Sequence, residues 1–257
     1  MSKRVPRVLA HRRRKMRTLV SDAVPAEPSD RQAIVARILA DPPVVHPMDA
    51  STAPTMGVWS TDESCYRFIA EHCPPGARTL ETGSGLSTVL FAALGAEHIC
   101  CTAAQEEADR ILAHCGHRGI AVDTVRFEVG SSHQTLPLLE RADLERDLVL
   151  IDGSHAFPLP VVDWFYAAAL LRAQGALVLD DVDLPAVRLL VGFLEQDPRW
   201  SPLAGTAKWR AWRREQGGPL AEDWTEQPFY LERRDRLRRL ARKFPGKIRH
   251  ELAKLRR

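Results

Sequence analysis

Three acids and a histidine stand in the second half of this chain at positions suited to holding a cation. Asp152-Gly153-Ser154-His155 follows the apolar run Leu148-Val149-Leu150-Ile151, and Asp180-Asp181 follows Ala176-Leu177-Val178-Leu179. Short apolar runs of this kind form strands covered on both faces. The 28 residues from Asp152 to Asp180 leave room for one loop, one helix and a returning strand. The two runs can therefore be parallel neighbours, with three carboxylates converging on one sheet edge. Three unpaired carboxylates packed together repel unless they are protonated or bridged by a cation. Oxygen ligation of this sort suits Mg2+, with water and substrate oxygens completing the octahedron.

A second stretch suits ligand binding through the backbone. Thr79-Leu80-Glu81-Thr82-Gly83-Ser84-Gly85-Leu86-Ser87-Thr88 reads as a short strand, a turn on two glycines and the start of an apolar helix. The glycines allow a tight turn and close approach of a ligand, and the helix start presents free N–H groups. A dinucleotide-binding turn would want a third glycine near Thr88, and a P-loop would want Gly-Lys-Ser/Thr; neither is present. With Glu81 two positions before the first glycine, the stretch resembles the first motif of the class I S-adenosylmethionine (SAM)-dependent methyltransferases. That resemblance implies cofactor contacts from Glu81, Gly83, Ser84, Gly85 and Ser87.

The resemblance extends from about Trp59 to Arg214 and implies a Rossmann-like, doubly wound α/β fold with the seven-stranded methyltransferase sheet. Asp-x-x-His followed by Asp-Asp resembles the metal-dependent O-methyltransferases of the catechol and macrolide-sugar types. The latter matches better because its base is a histidine. Carried over, it implies that Asp152, Asp180 and Asp181 hold the metal and that His155 is the general base, as an imidazole titrating near neutrality can be. Metal-free relatives imply a plainer role for Asp152, contact with SAM, and Asp180-Asp181 can also cap the next helix. Trp59-Ser60-Thr61 resembles the segment that closes over SAM, and Ser131, after the third strand, falls where relatives line the adenine. The sequence departs from the pattern after strand two. Where many relatives carry a ribose-binding acid it has Thr102, followed by Gln105 and Glu106 as other candidates.

The elements that must position these residues follow from periodicity and turn chemistry. Asp30 is placed to cap a helix over 31–40, and 41–58 reads as a long irregular lid. Ser60 or Thr61 is placed to cap a helix reaching His72. Strands are expected at 77–81, 96–102, 122–129, 148–152 and 176–180, with helices at 88–94, 105–115 (closed by Gly116), 161–171 and 185–195. A closing hairpin takes 200–206 and 208–214. The expected organisation is a basic arm (1–28), N-terminal helices and lid (29–76), the SAM-binding core (77–216) and an aromatic, basic C-terminal segment (217–257). Trp209, Trp212, Trp224, Phe229 and Tyr230 read as an acceptor wall or as core. His114, Cys115 and His117 have the look of zinc ligands but close a helix.

Composition bounds the rest. The chain has 257 residues, 45% of them hydrophobic, enough for one decorated α/β domain. Five cysteines without a C-x-x-C pair read as buried thiols in a reducing cytoplasm. The net charge of +3 hides two basic ends, eight Lys/Arg and no acid in 1–20 and twelve against three acids in 231–257, around an acidic middle. That layout argues against nucleic-acid binding and leaves the ends free to touch an anionic membrane surface. A homo-oligomer is compatible with it. The expectation is a cytoplasmic SAM-dependent methyltransferase acting, with Mg2+, on a hydroxyl of a small molecule or sugar. The rivals are a metal-free enzyme with His155 as lone base and a non-catalytic SAM-fold binding protein.

Overall fold

The apolar runs are strands of one sheet, and its order is what brings the acids together. The computed structural model describes residues 28–48, 55–141 and 145–217. The basic arm, the C-terminal segment with Trp224, Phe229 and Tyr230, and 49–54 of the expected lid lie outside the described residues. The first half comprises α1 (Pro28–Leu39), β1 (His46–Pro47), β2 (Met56–Gly57), α2 (Glu63–His72), β3 (Arg78–Thr82), α3 (Leu86–Ala93), β4 (Glu97–Thr102), α4 (Gln105–Arg118) and β5 (Val125–Val129). The second comprises α5 (Ser132–Arg141), β6 (Arg146–Ile151), α6 (Leu159–Leu170), β7 (Leu171–Leu179), α7 (Pro185–Leu194), β8 (Trp200–Gly205) and β9 (Arg210–Arg214).

Seven strands form a mixed sheet in the order β5-β4-β3-β6-β7-β9-β8, with β9 antiparallel to both its neighbours. This is a Rossmann-like α/β fold, and strand order reverses between β3 and β6. Ligand crevices open at the C-terminal strand edge at such a reversal. Register makes the edge level: Thr82 pairs with Ile151 and Ile151 with Leu179. The Asp152 N–H donates to the Thr82 carbonyl at 3.1 Å and the Asp180 N–H to the Ile151 carbonyl at 3.1 Å. Gly83, Asp152 and Asp180 therefore leave the sheet side by side.

Alternation along the strands divides the core in two. Leu148, Leu150 and Val178 pack beneath α1–α4 with Ile69, Leu90 and Ile111, whereas Val149, Ile151 and Leu177 pack on the other face with Leu136, Trp164 and Leu190. Burial of each such aliphatic side chain is worth roughly 1.5–3 kcal/mol, so the strand ends rest on a buried core on both faces. Trp209 and Trp212 belong to these layers, at 2% and 1% exposure, and so form core instead of an acceptor wall. All five cysteines are buried free thiols. Among the described residues no helix is long and apolar enough to cross a membrane.

Several local expectations are corrected. Asp30 lies inside the first turn of α1 instead of before it, and α2 starts after Asp62, so neither Ser60 nor Thr61 is its cap. α4 runs through Gly116 and closes at Gly119, whose φ of +64° suits glycine. β5 begins at Val125, three residues later than the pattern suggests. α5 was hidden from the periodic reading by Pro137, which forfeits a helical hydrogen bond in its interior. The supposedly irregular lid contains an antiparallel β1–β2 pair, with His46 opposite Gly57. Asp180 and Asp181 do not cap α7, which starts after Leu184.

Candidate active site

A cavity of about 510 Å³ opens at the reversal and is lined from both sides of it, a size in the range of small-ligand sites. One half is built on the glycine turn. Gly83 has φ +87°, and a Cβ there would lie 2.1 Å from the Asp152 carbonyl oxygen. Glycine is thus required by the contact between two strand ends, before any ligand is considered. Gly85 starts α3, and its N–H donates to Thr88 Oγ1 at 3.0 Å. Thr88 Oγ1 in turn donates to Glu81, which also faces His98 Nε2 at 3.1 Å. Glu81 is buried beneath the turn and does not line the cavity; it props the loop through Thr88. Its Oε2 has no hydrogen-bond partner among the described residues. Ser87 is likewise buried within α3, while Gly83, Ser84 and Ser131 line the cavity as expected.

The acid missing from the end of β4 is supplied by Glu107, from the first turn of α4. Thr102 Oγ1 donates to Glu107 Oε2 at 2.5 Å, and Ser84 Oγ donates to the same oxygen at 3.1 Å. Glu107 lines the cavity, whereas Glu106 is exposed, Gln105 pairs with Asp109, and buried Thr102 serves as a partner of Glu107. The readable signal was position: an acid at the third helical residue folds back toward the chain entering the helix. His46 completes the group from β1. Its Nε2 donates to the Ser84 carbonyl at 2.8 Å, and Nδ1 lies 3.4 Å from Glu107 Oε1. Both ring nitrogens face acceptors, which favours the imidazolium. The ion pair with Glu107 raises the His46 pKa against the opposing effect of burial, and His46 with Thr102 and Ser84 holds Glu107 down at about 2. Trp59 stacks on His46 with centroids 4.7 Å apart and planes 8° from parallel, and both line the cavity.

The other half is built of charge. Asp152, His155, Asp180 and Asp181 all line the cavity. Asp152, His155 and Asp181 offer ligand atoms that all lie within 4.8 Å of one another. His155 Nε2 is 3.2 Å from Asp181 Oδ2 and 3.9 Å from Asp152 Oδ1, yet it is buried and has no aligned hydrogen bond. Asp181 has φ +51°, a left-handed conformation that aspartate tolerates better than most residues but at some cost. Asp180 is turned to a protein donor: Thr61 Oγ1 donates to its Oδ1 at 2.5 Å. Thr61 thus reaches the acid cluster and does not line the cavity. The Asp152 side chain retains 30% of its surface, but that surface lines the cavity. Burial, and then Asp180 and Asp181, push its pKa well above the usual carboxylate range. Asp180 is raised by burial too, with Thr61 acting against it.

Sequence reasoning missed Lys208, from the turn between β8 and β9, whose Nζ donates to Asp181 Oδ1 at 2.9 Å. Burial lowers its pKa, but Asp181, Asp180 and Asp152 more than offset that and hold the ammonium above its ordinary value. The donor set fits a hard divalent cation: oxygens of Asp152 and Asp181 converge with an unbonded imidazole nitrogen beside them, while Asp180, turned to Thr61, stands outside this group. His114, Cys115 and His117 form no such group among the described residues, and in the buried Glu81–His98–Cys100 cluster the His98 ring is already bonded to Thr79 and Glu81.

Residues 80–182 match the model of a family described as a methyltransferase domain. No curated protein sequence matches the chain significantly. Among solved structures, the cofactor-bound Rv0187 from MTB is similar at 20% identity with a TM-score of 0.50, over 78% of this chain and 94% of that one. The SAH-bound methyltransferase PaMTH1 of Podospora anserina is similar at 16% identity and TM-score 0.50, over 77% and 100% respectively. A Staphylococcus aureus protein assigned as a caffeoyl-CoA O-methyltransferase is similar at 14% identity and TM-score 0.50, over 61% and 86%. The matched segment is similar to a methyltransferase domain, and the sheet order with its glycine turn at the reversal is the Rossmann-like fold shared with these solved structures.

Proposed function

We propose that this enzyme transfers the methyl group of SAM to a hydroxyl oxygen of a small molecule or sugar, with His155 as base and Asp152, Asp180 and Asp181 as the seat of Mg2+. The observation that carries the reading is the unbonded, buried Nε2 of His155, held among carboxylates on the wall of the cavity that Gly83 and Ser84 also line. SAM would lie over the glycine turn, its ribose hydroxyls toward Glu107 and its adenine toward Ser131. The acceptor would enter from the His155 side. His155 Nε2 takes the hydroxyl proton, the oxygen attacks the methyl carbon, and the C–S bond breaks with its electron pair kept by sulfur. Asp152 and Asp181 stabilise the imidazolium that results. A bound divalent ion would supply Lewis acidity that eases loss of the acceptor proton. That one structural neighbour bears the name of an O-methyltransferase agrees with oxygen as the acceptor atom.

A second reading, turnover without metal, is favoured by Lys208, which already brings one positive charge to Asp181. The two are separated by assaying methyl transfer from labelled SAM to a panel of catechols, phenols and sugars. His155→Ala is expected to lose ~10²–10⁴-fold in rate while keeping its affinity for S-adenosylhomocysteine. Unimpaired turnover by this variant would remove His155 as base. Full activity after exhaustive chelation, with no metal found by elemental analysis, would remove the cation.

A further inference from the structure

We propose that Lys208 is a resident counter-cation of the acid cluster, and that it tunes the affinity of the site for a divalent ion by competing with that ion for Asp181. This rests on the reading of Asp152, Asp180 and Asp181 as a cation site, and it adds a determinant that lies far from them in sequence.

Lys208 differs from a solvated surface lysine in how its backbone is held. Its carbonyl accepts the N–H of Val182, the residue after Asp181, at 2.8 Å. Its own N–H donates to Thr206 Oγ1 at 3.1 Å, and Thr206 Oγ1 donates to Asp62 Oδ2 at 2.8 Å. The next residue, Trp209, is core and donates its indole N–H to Ser64 Oγ at 2.9 Å. The ammonium is thus delivered to Asp181 from a turn pinned on two sides. Thr61, on the segment pinned to that turn, occupies Asp180 in the same way. Protein donors therefore already hold two of the three acids.

Charge makes the arrangement consequential. Among the described residues lining the cavity, Lys208 is the only lysine or arginine, against Glu107, Asp152, Asp180 and Asp181. Glu107 is engaged by His46, so the ammonium is the one permanent positive charge facing the other three. Asp181 gives Oδ1 to Lys208 and turns Oδ2 toward His155. A divalent ion seated on Asp181 must share that carboxylate with the ammonium or displace it, and either is opposed by repulsion between like charges. With screening close to that of bulk water, as suits a partly exposed ammonium, a unit charge ~5 Å from a divalent ion shifts its affinity by roughly tenfold. An ion pair with a purely structural task would leave metal affinity alone.

The test is calorimetric titration of Mn2+ into the full chain as wild type, Lys208→Met, Lys208→Arg and Asp181→Asn, with thermal melts to show that each variant is folded. Lys208→Met is expected to bind Mn2+ about tenfold more tightly, Lys208→Arg to stay near wild type, and Asp181→Asn to bind more weakly. Binding by Lys208→Met alone, with none by wild type, would support the proposal in its strongest form. Wild-type binding with unchanged or weakened affinity in Lys208→Met would overturn it while leaving the cation site standing. No binding by wild type or Lys208→Met would overturn both.

Discussion

The two halves of the cavity handle negative charge in opposite ways. In the cofactor half a single carboxylate, Glu107, is met by a histidine and two hydroxyls and is held fully ionised. In the reaction half, three carboxylates share one ammonium and an imidazole that is near them but misaligned. The first arrangement is complete within the protein itself, which agrees with the proposed role of holding hydroxyls that do not react. The second is left electrostatically short, which the proposed reading, a site receiving a cation and a proton, requires. A pocket of uniform polarity would do neither task well.

The largest expected effect comes from breaking the seam between the halves. Gly83→Val meets the Asp152 backbone oxygen and requires a left-handed φ of a β-branched residue. It is expected to abolish S-adenosylhomocysteine binding by calorimetry and to lower the melting temperature as well. Unchanged affinity in a folded variant would place the cofactor elsewhere. The cofactor half is tested next by Glu107→Gln, which keeps the shape but loses a charged acceptor. Cofactor affinity should fall roughly tenfold, the usual scale for a hydrogen bond to a charged group, with little change in rate at saturating SAM. A loss confined to rate would assign Glu107 to the wrong half.

The smallest effect is one of pH. His46 has a raised pKa, so its contribution to stability is complete below its unfolded value near 6.5 and disappears as pH climbs through the folded value. Glu107 is depressed to about 2, so its contribution is complete above about 4.5 and is lost only as pH falls toward 2. The pair is therefore at full strength between about pH 4.5 and 6.5 and weakens on the alkaline side. His46→Gln should flatten the decline in melting temperature from about pH 6 to 8. A slope identical to wild type would show that the decline has another source.

How much of this was legible in the sequence differs by the kind of residue. Asp152, His155, Asp180 and Asp181 could be read because apolar runs end where strands end, and strand ends face the crevice. Gly83 could be read because its conformation is local; Gly85, expected beside it, starts α3 without lining the cavity. Glu107, His46 and Lys208 could not, since each reaches the cavity from an element whose placement depends on the whole fold: the first turn of a helix, a two-residue strand and a hairpin turn. Glu81 shows the converse. Expected to touch the cofactor, its side chain instead points under the loop, toward Thr88 and His98, and props the turn through Thr88.

The clasp between the start of α2 and the β8–β9 turn also bears on how the site comes into being. Asp62 and Thr206 are 144 residues apart along the chain, and Ser64 and Trp209 are 145. Contacts of such separation carry a large loop-closure entropy and tend to form late in folding. On a ribosome, the glycine turn and the parallel strands emerge while Lys208 is still unmade, so a growing chain has acids at its sheet edge and nothing from the hairpin to hold them. In that order of synthesis, the hairpin of β8 and β9 is the piece that completes the site, by docking on a helix made well before it.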